Sequence, residues 1–180
     1  MSVTMTAVAQ GIIDAALAET KAWLRIETAN DDAAIAALVR SAVGMAEDFC
    51  AQTMFERSGT EVLGASASWQ RMRACPVRSI TAARRLSADG MSSTLAAGAW
   101  EMDIDADGDG WVRVTEQGAS GRMEVDLTAG IAADWTSLPD ALRQGIMRLA
   151  AHLFAQGNNN DPAPAIVTAL LRPWRRMRLR

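Results

Sequence analysis

The sequence has little of the chemistry that most enzymes use. Its 180 residues include one histidine, His152, and two cysteines, Cys50 and Cys75. Ser-His-Asp chemistry would have to centre on His152, and no G-x-S-x-G elbow or other nucleophile motif accompanies it. His152 lies in a helical stretch between Ala151 and Leu153, where a satisfied structural histidine is expected. The cysteines have no C-x-x-C spacing and no neighbouring histidine, so two reduced, partly buried thiols are expected rather than a disulfide or a metal pair. Walker A and G-x-G-x-x-G phosphate loops are both missing. The expectation is a protein that is not an enzyme and needs no cofactor and no metal. No apolar run approaches the roughly 18 residues of a membrane span. The N-terminal "MSVTMTAVAQGIIDAAL" lacks the positive region of a signal peptide. A soluble, cytoplasmic product with no membrane partner is the default.

What is present describes an ordinary globular chain. Hydrophobic residues make up 49% and charged residues 22%, enough apolar material for a core in a chain of one-domain length. The net charge of −3 hides an asymmetry. Residues 1–139 carry 11 basic and 19 acidic side chains, whereas residues 140–180 carry 7 basic and 2 acidic. Five of those seven are Arg172, Arg175, Arg176, Arg178 and Arg180. Such an end seeks an acidic partner: protein, nucleic acid or membrane surface.

Periodicity predicts helices at both ends. A first helix spans about Ile13 to Leu24, with Ile13, Ala16, Leu17 and Leu24 on one face. Asp31 is a plausible N-cap for a second, from about Asp32 to Thr53, whose stripe is Ile35, Leu38, Val39, Ala42, Ala46 and Phe49. The two are close enough to pack as a hairpin. From about Gly59 to Thr128 the period changes to short runs between turn signals such as Asp89-Gly90, Asp109-Gly110 and Ser120-Gly121. "WEMDI", "WVRV" and "RMEVDL" alternate like strands, and Pro76 marks the start of another. Helix returns with Ser137 as N-cap, Pro139 in the first turn and Asp140 near the positive end of the dipole, and stops at Gly157. A last helix runs from Ala163 to about Arg172, where Pro173 ends or kinks it. The expected fold class is α+β: an N-terminal helical hairpin, a small, mostly antiparallel sheet, and C-terminal helices packing with the N-terminal ones. The chain reads as a single domain, with helices about 13–53 and 138–172 forming a bundle, a β insertion at about 59–128 and a basic tail at 173–180.

One string asks a sharper question. Residues 105–116, "DADGDGWVRVTE", match the EF-hand loop D-x-[DN]-x-[DN]-G-x5-E at every specified position. Asp105, Asp107 and Asp109 would supply oxygens, Gly110 the turn and Glu116 a bidentate carboxylate. An EF-hand needs a helix on each side. Here "LAAGAWEMDI" precedes with strand-like alternation, and β-branched Val112 and Val114 followed by "QGASG" leave no exiting helix. The favoured reading is a β-hairpin with an acidic turn. The alternative is a calcium-responsive binding module built on hairpin 105–116.

Most of the six tryptophans are expected in core or sheet packing. Trp174, among arginines, is instead a candidate interface anchor, unless it folds back onto the helices and leaves the arginines solvated. "RPWRRMRLR" is also able to touch phosphate, but the chain as a whole is acidic and lacks the broad basic face of a dedicated DNA binder.

Several phrases together resemble the head–tail connector family (adaptor, or head-completion, proteins) of long-tailed phages and gene transfer agents. "K-x-x-L-R-I" begins at Lys21 and "D-D-x-x-I" at Asp31. "P-V-x-S-I" begins at Pro76 and runs toward Asp89-Gly90. "T-A-G" ends a strand at Gly130, "P-x-A-L-R-Q-x-I" begins at Pro139, and "L-L-x-P-[YW]-R-R" begins at Leu170. No phrase is specific alone; their order along most of the chain is. The sequence departs after Phe154, where "AQGNNN" replaces a more aromatic and charged phrase. The resemblance implies a virion structural protein: a twelvefold ring beneath the portal that extends the DNA channel and docks tail proteins. It implies as partners the portal, tail-side connector or terminator proteins, further copies of itself, and passing DNA read without sequence specificity. Manufacture in the bacterial cytoplasm and residence in the particle neck follow. On this resemblance Arg172, Trp174, Arg175, Arg176 and Arg178 are the expected portal contacts.

Overall fold

The computed structural model describes residues 2–87, 89–115, 121–156 and 161–176. The chain forms two compact units, one of Met1–Ala7 with Glu56–Ile131 and one of Val8–Phe55 with Ala132–Arg180. The fold is α+β.

The helical unit contains α1 (Gln10–Leu24), α2 (Asp32–Cys50), α3 (Asp140–Gln156) and α4 (Ala165–Leu171), the last continued by a 3-10 turn at Arg172–Trp174. α1 packs on α2 and α3, and α4 on α3 and α2. Most of the expected stripes face inward: Ile13, Ala16, Ile35, Val39, Ala42 and Ala46 are buried and Leu17, Leu24, Leu38 and Phe49 half-buried, while α3 buries Leu142, Ile146 and Leu149. Each large aliphatic side chain removed from water contributes about 1.5–3 kcal/mol before entropy is counted. Gly145 of α3 allows α4 to approach closely, since a Cβ there would lie 2.8 Å from Leu171 Cδ2. Phe55 and Trp135 pack with ring centroids 6.2 Å apart. Beside them the Ala132 amide donates to the Met54 carbonyl, so the chain leaves and re-enters this unit side by side.

Two expected caps behave differently. Asp31 holds the N-cap position of α2 but makes no side-chain cap bond; its neighbour Asp32 instead pairs with Lys21. Ser137 does not cap α3. Its hydroxyl and amide are engaged with Asp134 in the preceding turn, and the helix starts at Asp140. The expected stop of α3 at Gly157 lies outside the described residues.

Among the described residues the β unit contains two antiparallel sheets where one was expected. The larger has the order β1-β2-β8-β4-β5, with β1 (Ser2–Met5), β2 (Arg57–Gly64), β4 (Val77–Leu86), β5 (Ser92–Thr94) and β8 (Arg122–Ala129). The smaller has the order β3-β7-β6, with β3 (Gln70–Arg71), β6 (Trp100–Ile104) and β7 (Gly110–Val114). β1 was not foreseen. It pairs with β2 in register from Ser2↔Val62 to Met5↔Gly59. Alternating inward residues of β8 (Met123, Val125, Leu127, Ala129) join Leu63, Met72, Val77, Ile80, Val112 and Val114 in one core. Glu61 is fully buried there, and its carboxylate accepts from the amides of Arg73 and Ala74 at 2.8–3.1 Å.

Candidate functional site

The basic segment continues α4 and lies against the C-terminal end of α2. Its backbone is held at two points: Gln52 Nε2 donates to the Trp174 carbonyl, and the Arg176 amide donates to the Cys50 carbonyl at 2.9 Å. Beneath it, Cys50 Sγ donates to the Leu171 carbonyl at 3.6 Å. The Arg175 guanidinium lies 5.6 Å from the centroid of the Phe49 ring. This placement is electrostatically sensible. The C-terminal end of a helix carries partial negative charge, and Glu47 and Asp48 add two acids in the last turn of α2. Trp174 is half-buried, Arg176 partly buried, and Arg172 and Arg175 exposed. Four of the five expected contact residues thus share one short segment, with Trp174 half-buried and two arginines exposed to solvent. Arg178 lies outside the described residues. Burial pushes the Cys50 thiol up to about 11, and both cysteines are free and buried.

The acidic string folds as the turn of a β-hairpin between β6 and β7. Asp105 organises it. One carboxylate oxygen accepts from the amides of Asp107 at 3.0 Å and Asp109 at 2.9 Å, and the other from Trp111 Nε1 at 3.1 Å. Asp109 is buried and pairs with Arg71. The positive-φ residue of the turn is Gly108, while the motif's Gly110 is already the first residue of β7. Glu116 lies outside the described residues. Strands flank the loop, and its first and third carboxylates already serve the protein itself, so the calcium-module alternative is set aside. Among the described residues, no three His, Cys, Asp or Glu side chains gather as a metal site would need.

His152 departs from expectation. Its Nε2 is buried and has no hydrogen-bond partner among the described residues. It lines an open cleft of about 300 Å³ with Trp23, Leu24, Arg148, Ala151, Ala155, Pro164 and Ile166. The tryptophans depart in part: Trp135 is buried, its Nε1 donating to Glu19 at 2.7 Å, and Trp100 and Trp111 are half-buried in the smaller sheet, Trp100 against the core, but the others are not core residues. Trp23 and Trp69 are largely exposed and covered on one face by Arg148 and Arg113, each at 4.7 Å.

No family model matches the chain, and no curated protein matches it; solved structures do. A chain in the neck of an empty gene transfer agent particle, computed with sixfold symmetry, superposes with a TM-score of 0.78 at 27% identity, over 99% of this chain and 97% of that one. The chain resembles the head–tail connector family throughout. A chain in the virion of a native gene transfer agent particle gives 0.74 at 28% identity, with the same coverage. A third, in the neck of a native particle computed with twelvefold symmetry, gives 0.72 at 27% over 98% of this chain and 97% of that one.

The connector phrases turn out to be joints of the fold. Arg78 of "P-V-x-S-I" donates to the carbonyls of Gly130 and Ile131, and the amide of Gly130, which closes "T-A-G", donates to the Pro76 carbonyl. Arg143 and Gln144 of "P-x-A-L-R-Q-x-I" both reach Glu19 of α1, at 3.6 and 3.5 Å. "L-L-x-P-W-R-R" is the segment clasped to α2. Glu19 was not singled out from the sequence, since nothing in its neighbourhood signals three partners far along the chain. No helix among the described residues is long and apolar enough to cross a membrane.

Proposed function

We propose that this protein is a structural subunit of the neck of a phage-like particle, an adaptor that forms a homo-oligomeric ring beneath the portal. One observation carries the reading: near-complete superposition, at 27% identity and a TM-score of 0.78, on a chain from the neck of a gene transfer agent particle. In this role both units act together as one connector subunit. The ring extends the DNA channel, DNA passes without sequence-specific contacts, and tail-side proteins dock on the far face. The protein acts by assembly rather than catalysis and resides in the particle neck after synthesis in the bacterial cytoplasm. A twelvefold ring matches one of the symmetries used for the similar necks.

The portal contact is assigned to Arg172, Trp174, Arg175, Arg176 and Arg178. The exposed guanidiniums of Arg172 and Arg175, beside a half-buried indole, fit an acidic surface with an apolar centre. Deleting the segment is a blunt test, because its backbone also clasps α2. Arg172→Gln with Arg175→Gln keeps the backbone clasp and puts no new acid beside Glu47 and Asp48. Particles assembled with this variant as the sole copy are expected to lack the subunit, while the purified variant still folds and melts close to the parent. Normal incorporation of the variant would remove these residues from the portal contact.

A further inference from the structure

Arg148 of α3 holds half of an arrangement that the protein completes elsewhere. Its guanidinium lies 4.7 Å from the centroid of the Trp23 ring, and among the described residues it makes no hydrogen bond or ion pair. Arg113 lies over Trp69 at the same 4.7 Å, and there Arg113 Nε also donates to the Glu101 carboxylate at 2.7 Å. An indole holds the flat face of a guanidinium and leaves its N–H edge for a carboxylate. At Trp23 that third member is missing, and no acid lines the cleft of about 300 Å³ to which Trp23 and Arg148 belong. Arg143, earlier on the same helix, has Glu19 and Asp140 as partners.

The other walls set what else an occupant must carry. Trp23 is 51% exposed and Ile166 47% exposed, and Leu24 and Ala151 continue the apolar lining. Taking such surface out of water favours association. His152, four residues after Arg148 and so on the same face of α3, adds a buried Nε2 with no hydrogen-bond partner among the described residues. Nucleic-acid phosphate is the poorer match, because its charges come in a row and call for several cations, whereas here one arginine stands among apolar side chains. The cleft is at the low end of size for a small-molecule site and suits a side chain or two of a docking segment.

We propose that this cleft receives an acidic segment of another protein of the neck. An aspartate or glutamate of that segment completes the Trp23–Arg148 stack as Glu101 completes the Trp69–Arg113 stack, and an apolar residue on the same face of the segment covers Trp23 and Ile166. The two residues stand two apart in a strand, or three or four apart in a helix, since those spacings share a face. Tryptophan and arginine are the residues that most often dominate an interface. The cleft lies at the start of α4 and Arg172 at its end, so this contact is separate from the one assigned to the basic segment. The inference rests on the neck reading for where the partner is found.

The test places the photo-cross-linker p-benzoylphenylalanine at position 166 of the full chain and assembles particles with that chain as the sole copy. Irradiation is expected to join it to a segment of another neck protein that has an aspartate or glutamate two to four residues from the adduct. Changing that acid to its amide is expected to lower the yield roughly tenfold, the loss of one charge-assisted pair. Arg148→Gln lowers it as much, and the two changes together lower it no further. The change on the partner keeps the test valid if Arg148→Gln fails to fold. The cross-linker at Ala155, which is exposed and also lines the cleft, serves if the one at position 166 keeps the chain out of particles. An adduct on a segment without an acid, on DNA or on a second copy of this chain overturns the proposal, as does the lack of an adduct at both positions. Parent particles without this chain overturn the neck reading instead.

Discussion

The acidic turn at Asp105–Asp109 and the basic segment at Arg172–Arg176 are both dense in charge, and the protein uses them in opposite ways. In the turn Asp105 and Asp109 look inward, while Asp107 is exposed. Asp105 satisfies two backbone amides and an indole, and Asp109 is buried against Arg71. In the segment the backbone looks inward, tied to Gln52 and Cys50, while Arg172 and Arg175 face solvent. A perfect motif string thus proves to be architecture, and a string with no metal or catalytic signature leaves Arg172 and Arg175 exposed to solvent. What separates them is where each polar group finds its complement, which no string match records.

Substitutions break this contrast in a graded way. Asp105→Ala removes the acceptor for three donors and is expected to cost about 3 kcal/mol in urea unfolding, a loss that calcium does not reverse. Gly145→Ala forces a methyl to within 2.8 Å of Leu171 Cδ2 and is expected to cost about 2 kcal/mol by overpacking, read as a lower thermal midpoint. Gln52→Ala releases the Trp174 carbonyl and is expected to cost about 1 kcal/mol. It is also expected to speed thiol labelling of Cys50. In the parent that labelling is slow at pH 8, because the folded thiol titrates near 11. Its folded value is raised above its ordinary 9.0, so the stability linked to this thiol is full below pH 9 and is lost as pH climbs toward about 11. Arg172→Gln with Arg175→Gln gives up only the helix-end and Phe49 contacts and is expected to cost less than about 1 kcal/mol while blocking incorporation into particles. Smallest of all, millimolar calcium is expected to leave tryptophan fluorescence unchanged, although Trp111 sits at the turn.

Local order was the legible part. Helical periodicity marked α1 to α4 within a few residues, and alternation marked β6, β7 and β8, because those signals arise from neighbours three, four or two positions apart. What stayed hidden depends on distant partners. β1 is four residues long and becomes a strand only through β2, more than fifty positions away. The division into two sheets follows from which strand pairs with which, and alternation is silent on that. Trp23 and Trp69 lie outside the core because arginines cover them on the surface, whereas composition alone suggests burial. Ser137 looked like a cap, yet Asp134 reaches it first. For the candidate site, the arginines and Trp174 were visible as a cluster, but not the clasp to α2 that fixes which of them face outward. His152 was expected to be satisfied, and its open Nε2 emerged only with the cleft.

The central claim is that this chain builds the particle neck, and an electron cryomicroscopy map of that neck tests it most directly. The account predicts a ring of this chain seated against the portal, with Arg172 and Arg175 at the contact. A neck in which the position beneath the portal is filled by another protein would contradict it.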